Sequence, residues 1–357
     1  MRQLTLMSPG RLEWVDVPEP TLESPAAALV QPVAAGVCDY DRFLIRGISA
    51  LPGAIALGHE FVARVLRIGD DVTAVRPGDL AIVPYHITCG TCVNCRRGHS
   101  VRCQSVPPLS VYGFGQACGP WGGMYSDVLR VPYADAMLVP VPAGLRPERI
   151  AACGDNATVA WCTVAPTVLE TKEAAVLVVG GGMASTGLFA AAAAVALGAA
   201  QVDYLDGHPD RLSRARAVGA RPIEGSLADR YGPYTLSVDA SMTADGLACA
   251  LRSTEPEGLC RSVCLHFDPV PVPLFDMYTT RSTLKLGMEP VRAAIPSVLD
   301  LIVAGRLQPE AIISRVVPWD DAIDALMEGT PSKLILRREK DHGPRAPGEA
   351  VQHEELP

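Results

Sequence analysis

No part of this 357-residue sequence is laid out to enter or cross a membrane. Residues Met1 to Pro9 lack the charged-then-apolar order of an export signal. The most apolar long run, Ala174 to Ala200, is rich in Gly and Ala and is interrupted by Ser185 and Thr186. It reads as a buried strand, turn and helix, not as a span. Basic character is also short. Lys and Arg number 31 against 39 Asp and Glu, leaving a formal charge of -8 with no basic stripe. That excludes nucleic acid and anionic membrane as natural partners. No internal repeat is present. Apolar residues make up 48% of the chain, ample for two cores at this length. Cysteine, in contrast, is plentiful at 11 residues, and without an export signal it implies a reducing, cytoplasmic setting.

Four of those cysteines, Cys89, Cys92, Cys95 and Cys103, follow the spacing C-x2-C-x2-C-x7-C. Two-residue gaps let successive thiolates turn onto one ion, and the longer gap lets the chain loop back with a fourth. Four sulfurs complete a tetrahedral shell, so the ion expected here is a structural zinc with no position for substrate. The intervening residues are small, polar and basic, as a loop around a tetrathiolate should be. Short C-x2-C repeats in such a chain favour metal over disulfides.

The first 150 residues alternate short β-rich runs with Pro and Gly breaks: Ala27–Val33, Phe61–Ile68, Leu80–Val83 and Tyr125–Val131. They predict a β-rich, barrel-like domain with long loops. From about Thr158 strands and helices alternate. Ala175–Gly180 reads as a strand, Gly187–Leu197 as an alanine-rich helix, Gln201–Leu205 as a strand, and Pro209–Val218 as a helix ended by Gly219. Leu236–Ala240 and Leu259–His266 read as later strands. Such alternation predicts an α/β, doubly wound parallel sheet. A helix at Ala294–Ala304, then Ile312–Val317, Trp319–Glu328 and Lys333–Leu336, return to the first domain. The expected division is 1–157 and 291–337 for the β-rich domain and 158–290 for the parallel sheet. The charged, apolar-poor stretch from Arg338 to Pro357 is expected to be disordered.

Gly182-Met-Ala-Ser-Thr-Gly187 follows an apolar strand and opens a helix. Gly182 permits the tight turn, the small Ala184 allows backbone to approach a pyrophosphate, and Gly187 lets helix and strand pack closely. Gly180-Gly181-Gly182 offers a competing register in which Ser185 replaces the third glycine. The next strand ends in Asp206, about twenty residues on, where a carboxylate binds the adenosine ribose hydroxyls and repels a 2′-phosphate. NAD rather than NADP is the expected cofactor. Arg211 either contacts the same ribose or is a solvated helix residue.

Upstream stand Cys38 in Gly36-Val-Cys38-Asp-Tyr-Asp41 and His59 in Gly58-His59-Glu60. A thiolate and an imidazole are good zinc ligands, and three protein ligands with one open position make a catalytic site. Together with the four-cysteine lobe and the unit ending in Asp206, this order and spacing resembles the zinc-dependent medium-chain alcohol dehydrogenases. The likeness runs from near the start to about Leu336 and takes in Arg76-Pro-Gly-Asp79 and Leu197-Gly198-Ala199. Val131-Pro-Tyr-Ala-Asp135 and the segment from Arg46-Gly47 to Gly58 look most like the bacterial formaldehyde- and threonine-dehydrogenase branch.

The resemblance implies a GroES-like catalytic domain around a Rossmann domain, a catalytic and a structural zinc, and a homodimer or homotetramer. It implies hydride transfer between an alcohol or its carbonyl partner and the nicotinamide, with zinc as Lewis acid. Cys153 and Asp155 compete as third ligand to the catalytic zinc. Counting back from Ala160-Trp161, which resembles the family's small-plus-aromatic pair, favours Asp155. Glu60 matches the glutamate near the zinc, and Asp41 the carboxylate that orients the histidine ligand. Tyr40 departs from the family, standing where Ser or Thr usually relays the proton, and Phe43 stands where some members place a relay histidine. The phenol either takes over the relay or shapes the pocket. Tyr112, Phe114, Trp121 and Trp161 are expected to line that pocket. Rival readings are a biosynthetic carbonyl or imine reductase of the same fold and a catalytically silent cofactor binder.

Overall fold

Two large sheets organise the chain in a computed structural model that describes residues 1–48 and 51–339. The first is centred on Ala28–Val37, an apolar strand buried along its whole length. Phe61–Ile68 pairs with it antiparallel on one side and Lys333–Arg337 on the other. Pro32 has no N–H for the ladder, and the register to Phe61–Ile68 shifts between Pro32 and Ala34. The sheet runs Ile313–Pro318, Lys333–Arg337, Ala28–Val37, Phe61–Ile68, Leu80–Val83, Val139–Pro140, with Leu129–Val131 also joined to Ala28–Val37. Strands from the two ends of the sequence therefore share one domain. Arg11–Asp16, Arg2–Ser8 and Ile55–Ala56 add a small sheet of three strands.

The second sheet has six strands, all parallel, in the order Arg221–Ile223, Gln201–Leu205, Ala175–Val179, Tyr234–Asp239, Thr254–Ser262, Thr283–Leu286. The direction of winding reverses between Ala175–Val179 and Tyr234–Asp239, and doubly wound sheets bind ligands beyond the carboxyl ends of strands at such a switch. The helix Ala184–Leu197 follows the first of these strands and is buried almost all round. Its run of alanines permits close approach on every side, to the sheet and to the helix Asn156–Glu170. Gly198, left-handed at φ 89°, ends it. Among the described residues no helix is long and apolar enough to cross a membrane.

Several boundaries differ from the sequence reading. The alanine-rich helix begins at Ala184 rather than Gly187, because a carboxylate from the other domain caps Ser185 and Thr186. Only Leu129–Val131 of the expected strand Tyr125–Val131 is a strand, since Tyr125 bonds the Leu57 and Leu4 backbone instead. The strand expected at Leu259–His266 spans Thr254–Ser262, and the chain leaves the sheet before Cys264 and His266. Arg338, the first residue of the expected disordered tail, is anchored. It donates to Pro32 O at 3.0 Å and Ser126 O at 3.0 Å and lies over the Trp319 ring at 4.4 Å. The rest of that tail from residue 340 lies outside the described residues.

Candidate active site

Cys-Asp-Tyr-Asp is a helix start. Cys38 caps the helix Asp39–Ile45, its N–H donating to Asp41 Oδ2 at 3.2 Å. The cap holds Asp41 so that its other oxygen lies 3.4 Å from His59 Nδ1, and Tyr125 Oη donates to the first oxygen at 2.9 Å. His59 follows Gly58, whose φ of 93° and closeness to the Tyr125 ring (2.8 Å from any added Cβ) leave room for glycine alone. On its far side His59 Nε2 stands 3.4 Å from Asp155 Oδ2. Ligand atoms of Cys38, His59 and Asp155 all lie within 4.8 Å of one another. Asp155 occupies the cap position of the helix Asn156–Glu170 yet makes no side-chain cap bond, so its carboxylate is turned to the cluster. Cys153 is buried elsewhere, and the structure groups Asp155, not Cys153, with Cys38 and His59.

The charge pattern asks for a cation. Burial pushes the Cys38 thiol up to about 12, and Asp155 beside it adds to the rise. Burial pulls His59 down, but Asp41 and Cys38 more than reverse it and hold the ring well above its usual value. Asp41, Glu60 and Asp155 are all buried in this volume. A divalent ion bound by thiolate, imidazole and carboxylate would relieve this excess of negative charge, and the donor set suits zinc with an open fourth position.

Glu60 is fully buried, with Oε1 accepting from Asn156 N at 3.0 Å and Oε2 paired with Lys333 Nζ. Lys333 spends its remaining donors on Val37 O at 3.0 Å and Asn156 Oδ1 at 2.6 Å. Asn156 Nδ2 then donates to Cys38 Sγ at 3.2 Å and Asp155 Oδ2 at 2.8 Å. Tyr125, Asn156 and Lys333 escaped the sequence reading. Only Lys333 left a signal, as a charge opening the apolar strand Lys333–Arg337.

Tyr40 is buried and stacks on Phe114 at 5.0 Å with planes 7° apart. Phe114 also meets His59 at 5.0 Å, and Phe267 approaches Tyr40 at 5.9 Å, so an aromatic wall stands beside the cluster. Phe43 joins it, 6.3 Å from Tyr40. Of the expected pocket residues Phe114 is in place. Tyr112 is instead a core residue, donating to Arg130 O at 3.0 Å; Trp121 packs, like Phe114, against the apolar cluster that holds Cys38 and Tyr40, and Trp161 against the cluster of the parallel-sheet domain.

At the dinucleotide turn, both glycine registers find uses. A Cβ on Gly180 would overlap the Asp206 carboxylate, one on Gly182 would meet Met242 at 2.7 Å and Phe43 at 3.0 Å, and one on Gly187 would press Ala240 at 3.0 Å. Ala184 opens the helix. Asp206, the residue after the strand Gln201–Leu205, is buried and accepts from His208 N at 2.8 Å and Arg211 Nη2 at 2.8 Å. Arg211 also donates to Gly181 O at 3.3 Å, so it is fixed across the turn and is not a solvated helix residue.

The four cysteines of the lobe come together, with all four sulfurs within 4.8 Å. Cys92 and Cys95 sulfurs are 3.4 Å apart and Cys89 and Cys95 4.0 Å, beyond any disulfide. Backbone N–H groups of Cys92, Cys95, Gln104 and Cys89 point at sulfur over 3.4–3.5 Å. Amides aimed at sulfur in this way stabilise thiolates around a tetrahedral ion.

Residues 24–143 match the alcohol dehydrogenase GroES-like domain, and residues 151–264 match the C-terminal domain of alanine dehydrogenase/PNT. The Mycobacterium tuberculosis protein named "Probable zinc-binding alcohol dehydrogenase Rv1895" is 30% identical over 329 residues, covering 90% of this chain and 83% of that one. Glutathione-independent formaldehyde dehydrogenase of Pseudomonas aeruginosa is 31% identical over 230 residues, 61% of this chain and 57% of the relative. Among solved structures, alcohol dehydrogenase TADH from Thermus sp. ATN1 superposes with a TM-score of 0.84 at 31% identity, covering 95% of this chain and 100% of that one. With its GroES-like domain, its Rossmann sheet, its four-cysteine lobe and its Cys38–His59–Asp155 cluster, the chain belongs to the zinc-type alcohol dehydrogenases, a family of oxidoreductase enzymes.

Proposed function

We propose that this protein is an NAD-dependent dehydrogenase that interconverts an alcohol, polyol or amino alcohol and its aldehyde or ketone. One observation carries the reading. The segment Cys38–Phe43, which begins with a metal ligand, packs directly on the dinucleotide turn, Phe43 against Gly182. Metal ligands and nicotinamide end thus serve one pocket. Cys38, His59 and Asp155 would hold a zinc ion that would supply Lewis-acid polarisation of a substrate oxygen, and a bound nicotinamide would supply the hydride acceptor or donor. Asp41 Oδ1, 3.4 Å from His59 Nδ1, orients the ring by its charge, and the Glu60–Lys333–Asn156 network fixes Cys38 and Asp155 from behind. The wall of Tyr40, Phe114 and Phe267 favours a small, partly apolar substrate and keeps bulk water from the cluster. The formaldehyde dehydrogenase relative supports the aldehyde end of the range.

Asp206 supports NAD over NADP, because a carboxylate at the end of that strand accepts from ribose hydroxyls and repels a phosphate. We assign the proton relay to Tyr40, whose ring is held rigid by Phe114 beside His59. Eleven unpaired thiols support a reducing cytoplasm as the setting.

The test is a panel of alcohols and aldehydes assayed with NAD and with NADP, alongside zinc content. Two zinc ions per chain and turnover with NAD are expected. Preference for NADP would remove the Asp206 argument, and a single zinc with no turnover would leave a silent cofactor binder. Within an active panel member, Tyr40→Phe should lower kcat by about a hundredfold or more with little change in KM. Near-normal turnover would make Tyr40 a pocket wall.

A further inference from the structure

The amides at the start of the helix Ala184–Leu197 already hold an anion, and it comes from the chain itself. Asp39, next to the metal ligand Cys38, is 1% exposed. Its Oδ2 accepts from Ser185 N at 2.8 Å and Thr186 N at 3.4 Å, and its Oδ1 accepts from Ser185 Oγ at 2.9 Å. The residue at the helix's own cap position, Met183, offers no side-chain cap. Gly182 N and Met183 N are spent on Ser241 O and Ala240 O, both at 2.9 Å. A helix start after a glycine turn is where this fold seats a dinucleotide's pyrophosphate, through free N–H groups and the positive end of the helix dipole. Here a buried carboxylate from the catalytic domain satisfies both.

We propose that Asp39 is an internal competitor for the pyrophosphate seat, a contact between domains that the dinucleotide must displace, so that Asp39 sets the affinity for cofactor. This rests on the reading of that helix as the dinucleotide site. Pyrophosphate and carboxylate cannot share these amides, because like charges a few ångströms apart repel by several times the thermal energy even in a partly solvated site. Displacing Asp39 moves the residue bonded to Cys38, so cofactor entry is felt directly at the metal-ligating segment. The competing group is one residue, and its removal should help binding where removal of a true cofactor ligand would harm it.

Calorimetric titration of the zinc-loaded full chain decides the matter, using ADP-ribose, which carries the pyrophosphate, and adenosine, which does not. Asp39→Asn should bind ADP-ribose about tenfold tighter or better, with adenosine unchanged and zinc content equal. Ser185→Ala leaves Asp39 charged but takes away one of its three bonds, and should tighten ADP-ribose binding by about threefold. If Asp39→Asn does not fold, Ser185→Ala carries the test alone. Unchanged or weaker ADP-ribose binding in the variants would make Asp39 a strut between domains and overturn the proposal. Equal tightening of ADP-ribose and adenosine would overturn it too, since charge would not be the cause. Binding of neither ligand to wild type or variants would instead refute the dinucleotide reading, and the proposal with it.

Discussion

Lys333 brings one positive charge into a volume that holds Glu60, Asp41 and Asp155, and it is itself fully buried. Burial pushes Glu60 up to about 7, against the pull of Lys333. Breaking a buried pair by removing one partner leaves the other without compensation. Lys333→Met should therefore cost about 3–5 kcal/mol in denaturant unfolding, and adding Glu60→Gln should recover much of it. Equal loss in single and double variants would show that packing, not charge, makes Lys333 necessary. His86, buried beside the lobe with Nε2 3.0 Å from Ser100 Oγ, lies at the other extreme. Burial lowers it from 6.5 to about 4. Between those values the unfolded chain takes up a proton that the folded chain refuses, so stability falls as pH falls through that window and is whole above it. The loss attributable to His86 is about 3 kcal/mol. His86→Phe should flatten the dependence of the denaturation midpoint on pH between 6.5 and 4. An unchanged slope would assign the acid sensitivity to other groups.

At the scale of elements, the lobe and the catalytic cluster are separable. Cys95→Ser removes one of four sulfurs from a loop with no apolar core of its own, and should lower soluble yield and zinc content together. His59→Ala opens a shell braced by Asp41, Asn156 and the Lys333 network, and should give a folded protein with the lobe's zinc alone and no turnover. Metal analysis of both variants checks this, and a stable, fully metallated Cys95 variant would remove the structural-zinc assignment. These two elements also mark how far the sequence could be read. The lobe was legible because its ligands lie within fifteen residues of one another, and Cys38, Asp41 and His59 because helix start and Gly-His turn are local. Glu60's partner, 273 positions away, was not. Nor was Asp39: a helix start with an acidic first turn is ordinary, and only the tertiary structure shows that the carboxylate caps a different helix. Tyr125 was placed in a strand because it opens a β-rich run between Pro and Gly breaks, whereas its hydroxyl is committed to Asp41.

At the scale of the whole molecule, the parallel sheet ends at Thr283–Leu286, a strand with one open edge among the described residues. Leu286 of this strand is 62% exposed, and Leu274, Phe275 and Tyr278 of the preceding helix Leu274–Thr280 are 67%, 78% and 82% exposed. An open edge flanked by large apolar side chains invites another strand, and a second copy supplies one by twofold symmetry. We expect a homodimer through this edge, with a homotetramer requiring a further surface. Light scattering after size exclusion should give twice the chain mass, and Tyr278→Ser with Leu286→Asp should shift it to the monomer. A wild-type monomer would remove the edge from consideration.

The pairing of Ala28–Val37 with Lys333–Arg337 has a consequence in time. A ribosome makes Cys38, His59, Asp155 and the whole lobe long before Lys333. Until Lys333–Arg337 emerges, Glu60 lacks the Lys333 charge, and Ala34–Val37 of the central strand lacks its partner on the flank where Leu129–Val131 covers only Ala28–Val30. The lobe can take its zinc during synthesis, because all its ligands are local. The catalytic cluster gains the Lys333 network behind Glu60 only once Lys333–Arg337 is made, so its closure is expected to follow that of the lobe.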